Sequence, residues 1–440
     1  MQNLELMGEN LLRTVRPWGI RRAVLGGTNG ADGLVAAHDR AATGLQHAII
    51  QTLRREGPQS RADLARRLGV NRNNLADPLA ALTAAGFVHE PNLAASTGGR
   101  KARLVELNAR AGFIAAVDLG ATSLDAAVTD LQLHILAERS EPVDVAQGPT
   151  LMLERATQMV RALLADLGLT PDRLLGVGMG VPGPVDYRLG RTVSPPIMPG
   201  WNQFPIKDHL AEAFGCPAYV DNDVNIMALG EQFAGLGRGA ESFIFVKLGT
   251  GIGAGIVLGG RIYRGSDGCA GDIGHMAVDG SDVLCRCGNV GCLEALAGGP
   301  GIARRARLAA EAGRAPRVAS FLQEHDELTS VDVGHLAAQG DPGAVEVIRE
   351  TGRLVGRVMA SLVNVLNPSL VVIGGGVAQI GDVLLASIRE AVYRRSLPLA
   401  TRHLRIERSA VEPRAGVLGA AVMALDEVLS AEGLERSLRA

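Results

Sequence analysis

From Leu45 the apolar positions fall at helical spacing: Leu45, Ile49 and Leu53 share one face, and Gly57-Pro58 stops the run. Ser60 is set to cap a second helix in which Leu64 and Leu68 face inward, with Gly69 as the break. A third helix carries Leu75, Leu79 and Leu82 at alternate spacings of four and three and ends at Gly86. After Val88, a loop from Pro91 to Gly99 leads into the alternating segment Ala102 to Leu107, a pattern that predicts a wing hairpin. Residues 1–44 show no sustained period and contain Gly26-Gly27 and Asn29-Gly30, so they read as an ill-ordered extension. Beyond Phe113 strand-like and helical runs alternate to the end, with strands expected at Phe113 to Val117, Leu174 to Met179, Phe243 to Leu248 and Leu370 to Ile373.

Composition agrees with an α/β protein of two or three domains. The chain has 440 residues, 47% hydrophobic but only 3% aromatic, which suits helices packed on sheets and exceeds what one compact core holds. No stretch approaches the roughly 18 to 20 apolar residues of a membrane helix, and Met1 to Leu12 lacks a signal-peptide pattern, so no membrane contact and a cytoplasmic location are expected. The net charge of -2 hides a local excess: between Leu53 and Leu104, nine basic residues face four acidic ones, a net +5. A solvated helical face accounts for that charge equally well when it is taken alone.

Order and turn favour a DNA reader over a plain three-helix packing module. Two helices joined by a short Gly-containing turn form a helix-turn-helix, whose second member lies in the major groove. Asn71, Arg72, Asn73 and Asn74 lead that helix with donors and acceptors for bases or phosphates. Gly98-Gly99-Arg100-Lys101 at the wing tip offers Arg100 and Lys101 to a minor groove or backbone.

Two glycine-rich hairpins follow. The first runs through Asp118, Gly120 and Thr122, the second through Gly249, Thr250, Gly251 and Gly253; backbone N–H groups at such turns suit phosphate oxygens. Neither has P-loop or Rossmann spacing. Three cysteines, Cys285, Cys287 and Cys292, form Cys-x-Cys-x4-Cys with His275 ten positions ahead. Three thiolates and one imidazole complete a tetrahedral set for structural Zn2+, while Cys216 and Cys269 are left as unpaired structural residues.

The ordered pair of hairpins, with Val371-Val372-Ile373-Gly374-Gly375-Gly376 as a third element, resembles the sugar-kinase, actin and chaperone ATPase superfamily. In that superfamily the hairpins clasp a nucleotide between two lobes, and the third element, here with Gly374 and Gly375, is the adenosine motif. The resemblance becomes specific to the ROK (repressor, ORF, kinase) family at Gly271-Asp272-Ile273-Gly274-His275 and Cys285-Arg286-Cys287-Gly288-Asn289-Val290-Gly291-Cys292-Leu293-Glu294. It departs at Asp272, where many members have Glu. It runs from about Phe113 to near the C-terminus, and the family's regulators carry a winged helix that its plain kinases lack.

The resemblance implies an actin-like two-lobed body behind a small winged helix-turn-helix domain. The expected division is an extension at 1–44, the winged helix at 45–108, a first lobe at 112–225 and a second lobe with the zinc site at 226–430. It also implies a sugar site of Gly183, Asn222, Asp223, Asp272, His275 and Glu294, with His275 holding zinc through one nitrogen and a sugar hydroxyl through the other. Asp223 taken alone suits a helix N-cap equally well. The expected partners are operator DNA, a hexose or close derivative, and a second copy of the chain in a homodimer or dimer of dimers. The alternative from another class is an ATP- and Mg2+-dependent glucokinase-type enzyme with Asp223 as general base. Ala121 replaces the usual second Gly of the first hairpin, and Ser123 stands where kinases commonly have Lys or Asn. An actin-like or chaperone ATPase is disfavoured by the zinc signature and the sugar carboxylates.

Overall fold

The computed structural model describes residues 30–91, 103–278 and 280–439. Most of the expected N-terminal extension and the wing tip with Arg100 and Lys101 lie outside the described residues. The first helix, α1 (Gly30–Glu56), begins well ahead of Leu45. Its opening stretch is rich in Ala and free of Pro, and Gly33 and Gly44, each costing about 1 kcal/mol against Ala, do not stop it.

The rest of the first domain follows the pattern. Strand β1 (Gln59–Ser60) leads into α2 (Arg61–Leu68). Ser60 caps α2 by accepting from Asp63 N at 3.1 Å, and Gly69 closes it at φ 65°. A 3-10 turn, Arg72–Leu75, opens α3 (Ala76–Ala84). Strand β2 (Val88–His89) and β1 both pair with β3 (Leu104–Leu107), giving the three-stranded wing order β1-β3-β2. Ile49, Leu53, Leu64, Leu79, Leu82 and Val105 are buried together beneath it.

In the first lobe, β4 (Phe113–Leu119), β5 (Ser123–Thr129), β6 (Ile135–Pro142), β7 (Leu174–Val181) and β10 (Ala218–Asn222) form a sheet ordered β10-β7-β4-β5-β6. The short ribbon of β8 (Val185–Asp186) and β9 (Arg191–Thr192) stands beside it. Helices α4 (Pro149–Asp166) and α5 (Ile206–Phe214) bury one face of that sheet. Helix α6 (Asp223–Ala234) leads to the second sheet, ordered β13-β12-β11-β14-β15, from β11 (Phe243–Leu248), β12 (Ile252–Leu258), β13 (Arg261–Ile262), β14 (Leu370–Gly374) and β15 (Arg405–Arg408). Helices α7 to α13, between Leu293 and Thr401, build a core on one face, and α6 covers the other.

The lobes are not two consecutive stretches. Helix α14 (Ala415–Val428) returns to the first lobe, lying along α6 and against β4 and β7. Glycines permit the approach: a Cβ on Gly178 would stand 2.1 Å from Ala420 O, and one on Gly419 would stand 1.6 Å from Ile226 O. The last helix, α15 (Ala431–Arg439), packs on α1. There His47 Nδ1 lies 2.7 Å from Leu429 O, and Arg54 donates to Asp426 at 2.8 Å. The winged-helix domain is thus attached to the C-terminal helices of the first lobe.

Candidate functional site

Asn222 ends β10 and caps α6, its Oδ1 accepting from Val224 N at 2.9 Å. Its Nδ2 donates to Gly183 O at 2.9 Å, and Gly183 turns at φ 79°, a conformation that suits glycine. The cap is therefore Asn222, and Asp223 is released from that duty. Asp223 is only 5% exposed and accepts a hydrogen bond from Lys247 Nζ at 2.5 Å. Beside it, buried Asp221 accepts from Arg264 Nε at 2.8 Å and from Asn225 Nδ2 at 2.9 Å.

A second group comes from the other lobe. Glu294, in the first turn of α7, accepts from Ile252 N at 3.1 Å, behind the second glycine hairpin. Gly271 at φ 99° lets the loop approach β12 so closely that a Cβ there would lie 1.8 Å from Ala254 O. That loop presents Asp272 to solvent and leaves His275 half-buried, with Asp272 Oδ1 3.9 Å from His275 Nε2. Helix α6 meets β12 at Gly253 and Gly255, so the Asp223 group and the Glu294 group adjoin through this hairpin. The structure joins Gly183 to Asn222 by a hydrogen bond, with Asp223 next in the chain held by Lys247, and gathers His275 with the three cysteines, Asp272 standing 3.9 Å from His275.

His275, Cys285, Cys287 and Cys292 place their ligand atoms within 4.8 Å of one another. Cys285 Sγ lies 3.7 Å from His275 Nδ1, and Cys287 Sγ lies 3.7 Å from Cys292 Sγ. Those separations suit one tetrahedral ion with bonds of about 2.0 to 2.3 Å. Burial and the neighbouring thiols push the Cys292 thiol up, whereas the Asn289 backbone N–H lowers Cys287. A divalent cation would relieve the crowding by holding the thiolates. With Nδ1 on the metal, Nε2 would be left on the side of Asp272, 3.9 Å from its Oδ1.

The nucleotide side is more occupied than the sequence suggests. Asp118 on β4 is raised to about 7, first by burial, with Lys247 acting against the rise, and its Oδ1 has no hydrogen-bond partner among the described residues. Helix α14 crowds it: a Cβ on Gly416 would stand 1.7 Å from Asp118 Oδ2. Gly120 N is bonded to Ser123 O at 2.8 Å and Gly249 N to Gly251 O at 3.0 Å, the bonds that form the two turns, and Thr122 O accepts from Val143 N of the neighbouring segment at 3.1 Å. Thr250 O lies against Gly298, where a Cβ would come within 2.9 Å. Gly375, at φ 88°, donates its N–H to the Glu412 carboxylate, which also accepts from Gln379 at 3.2 Å. A Cβ on Gly374 would stand 2.4 Å from the same carboxylate. A recess of about 680 Å³ opens beyond Glu412, lined also by Glu138, Arg139 and Arg414, and it does not include Asp223.

Lys247, Glu412, Arg264 and Tyr187 were not singled out from sequence. The signal for Lys247 was a lysine inside the apolar run Phe243 to Leu248, since lysine is seldom buried unless paired. The others had no local signal, because their partners are remote in sequence.

On the winged helix, Asn71, Arg72, Asn73 and Asn74 are all exposed on the 3-10 turn. Much of the local positive charge is spent inside the molecule: Arg54 pairs with Asp426, Arg61 with Glu90, Arg66 with Asp63 and Arg67 with Glu56. Arg72 forms no ion pair among the described residues.

A body of two lobes, each built on a five-stranded sheet, with a Cys3His cluster and a winged-helix domain attached to its C-terminal helices defines the class of this protein: a regulator built on a sugar-kinase fold. The chain belongs to the ROK family, whose profile matches residues 114–427, and a helix-turn-helix domain profile matches residues 46–91. It is 29% identical over 371 residues to the xylose repressor of Caldicellulosiruptor bescii, covering 84% of this chain and 92% of that one. It is 34% identical over 304 residues to a glucokinase of Halalkalibacterium halodurans, covering 69% of this chain and 92% of the relative. The crystal structure of a ROK family transcriptional regulator, a homolog of the Escherichia coli MLC protein, superposes with TM-score 0.78 at 26% identity, covering 91% of this chain and 99% of that one. No helix of the described residues is long and apolar enough to cross a membrane.

Proposed function

We propose that the chain is a sugar-responsive transcriptional repressor that binds a two-fold operator as a dimer and changes operator affinity when a sugar closes its cleft. The observation that carries this reading is the attachment of the winged helix to α14 and α15, with α14 lying along the same α6 whose first turn bears Asp223. A ligand held by Gly183, Asn222 and Asp223 on one side and Asp272, His275 and Glu294 on the other makes different contacts in open and closed forms. Such a difference is what shifts a population between two states.

A chain of polar contacts supports a route from cleft to reader. Arg264, bonded to Asp221, stands over the Tyr187 ring at 3.9 Å, and Tyr187 donates to Glu427 at 2.8 Å. Glu427 adjoins Asp426, the partner of Arg54 on α1. A 100-fold change in operator affinity would correspond to roughly 2.7 kcal/mol of coupling through this route. Structural zinc, held by His275 and the three cysteines, would fix the loop that carries Asp272.

The effector is a hexose or close derivative, and the relative named a xylose repressor adds the pentose xylose to the sugars to be tried. The direct experiment measures binding to DNA upstream of the chain's own gene with glucose, N-acetylglucosamine and xylose in turn. At least one sugar is expected to shift affinity by tenfold or more. DNA binding that no stabilising sugar alters would overturn the reading.

A further inference from the structure

Asp223 and Asp118 are the carboxylates that a family kinase would set to work on a sugar hydroxyl and a metal-bound phosphate. In this chain a cation of the protein's own already stands with them. Lys247 stands one residue from the end of β11, with its ammonium 2.5 Å from Asp223 Oδ2. The pair is largely out of solvent, with side-chain exposures of 22% and 7%. Burial disfavours the ammonium, but Asp223, Asp118 and Glu412 outweigh it and hold Lys247 charged. A second contact lies at the other end of the nucleotide side, where the Glu412 carboxylate takes the Gly375 N–H of the adenosine motif.

We propose that Lys247 is a built-in counter-cation that takes the place of the divalent metal in this cleft and, together with Glu412, closes it to productive metal–nucleotide, so that sugar is bound and not phosphorylated. The proposal rests on the reading of Asp223 as a sugar residue.

Three physical steps lead there. A divalent ion at Asp118 and Asp223 would have to share their negative charge with an ammonium already in hydrogen-bond contact with one of them, and like charges so close repel strongly where water is scarce. A nucleotide phosphate or ribose at Gly375 would have to displace the Glu412 carboxylate, which occupies the only N–H that glycine has. To act as general base, Asp223 would have to give up its charge to a proton while the buried ammonium of Lys247 stands against it, and that deprives the ammonium of its hydrogen-bonded counter-charge. Asp223 Oδ1 is not the atom that Lys247 holds, so the carboxylate keeps an acceptor for a sugar hydroxyl. Mg2+ and ATP therefore do not fit the residues present, while a neutral sugar does.

The test uses the full chain with its zinc, Mn2+ and the non-hydrolysable ATP analogue AMPPNP, with bound Mn2+ followed by electron paramagnetic resonance. Wild type, Lys247→Gln and Lys247→Arg are compared, and zinc content and cooperative unfolding show that each is folded. Wild type and Lys247→Arg are expected to bind Mn2+–AMPPNP at least tenfold more weakly than Lys247→Gln, and wild type is expected to transfer no phosphate from ATP to glucose. Equal binding by wild type and Lys247→Gln, tighter binding by wild type as a phosphate-holding lysine would give, or turnover by wild type would each overturn the proposal. Should Lys247→Gln fail to fold, wild type decides: absent binding at millimolar nucleotide supports the proposal, and micromolar binding refutes it. Sugar stabilisation of wild type, measured without nucleotide, reports separately on the sugar reading.

Discussion

In the group proposed to hold the sugar, Asp272 stands exposed and His275 and Glu294 are half-buried, Glu294 accepting from Ile252 N. On the nucleotide side Gly375 is satisfied from within by Glu412, and at the border between the two Asp223 already carries Lys247. On the proposed reading, the sugar group keeps exposed polar residues while the nucleotide group is filled by the protein's own charges. A body that holds its ligand without consuming it is what a sensor requires, because a ligand can report its concentration only by remaining bound at equilibrium.

The zinc cluster is the sharpest way to break this contrast. Cys287→Ser should lower zinc from about one per chain to near zero and abolish the sugar response, since structural zinc contributes roughly 10 kcal/mol or more in small sites. Metal analysis together with a sugar thermal shift checks it, and unchanged zinc content would remove the cluster from the account.

Asp118 gives the next largest effect. Its carboxyl sits at about 7 in the folded chain against an ordinary 3.8. The folded state therefore holds this proton more tightly than the unfolded one, so the stabilising contribution is full below about pH 4 and is lost as pH rises to about 7. The loss is on the order of 4 kcal/mol for a shift of that size. Denaturant unfolding across this range should show Asp118→Asn with a flatter profile than wild type, and identical profiles would contradict the burial argument.

Smaller effects belong to the route and the reader. Tyr187→Phe removes the hydrogen bond to Glu427 but keeps the ring under Arg264. It should leave sugar affinity nearly unchanged and reduce the sugar-dependent change in operator affinity by about 1 kcal/mol. Full coupling in that variant would place the route elsewhere. Arg72→Ala and Lys101→Ala should each lower the slope of log affinity against log salt by about 1, as one phosphate contact is lost. An unchanged slope in both would move the DNA contact to other residues.

What the sequence disclosed was local. Period, turn residues and cysteine spacing announced the helix-turn-helix, both glycine hairpins and the Cys3His cluster, because each is written within a few dozen residues. Ser60 capping α2 and Gly69 closing it are examples in which the side chain and its partner are near neighbours. What it concealed was long-range pairing. The return of α14 to the first lobe depends on Gly178 and Gly419 admitting backbone from distant elements, and no window of sequence contains both sides of those contacts. The cap at Asn222 shows the limit at close range: Asn222 and Asp223 are both good cap residues, and the fold makes Asn222 the cap, its Oδ1 accepting from Val224 N while its Nδ2 donates to Gly183 O.

The most direct test of the central claim is operator affinity with and without the best-binding sugar, for wild type and Asp223→Ala. In wild type the sugar should change affinity by about 100-fold, equivalent to roughly 2.7 kcal/mol, and in Asp223→Ala, checked for zinc content and cooperative unfolding, the change should vanish while sugar-free operator binding persists. An alanine variant that responds to sugar as wild type does, or a wild type that binds sugar with no change in operator affinity, would contradict the account.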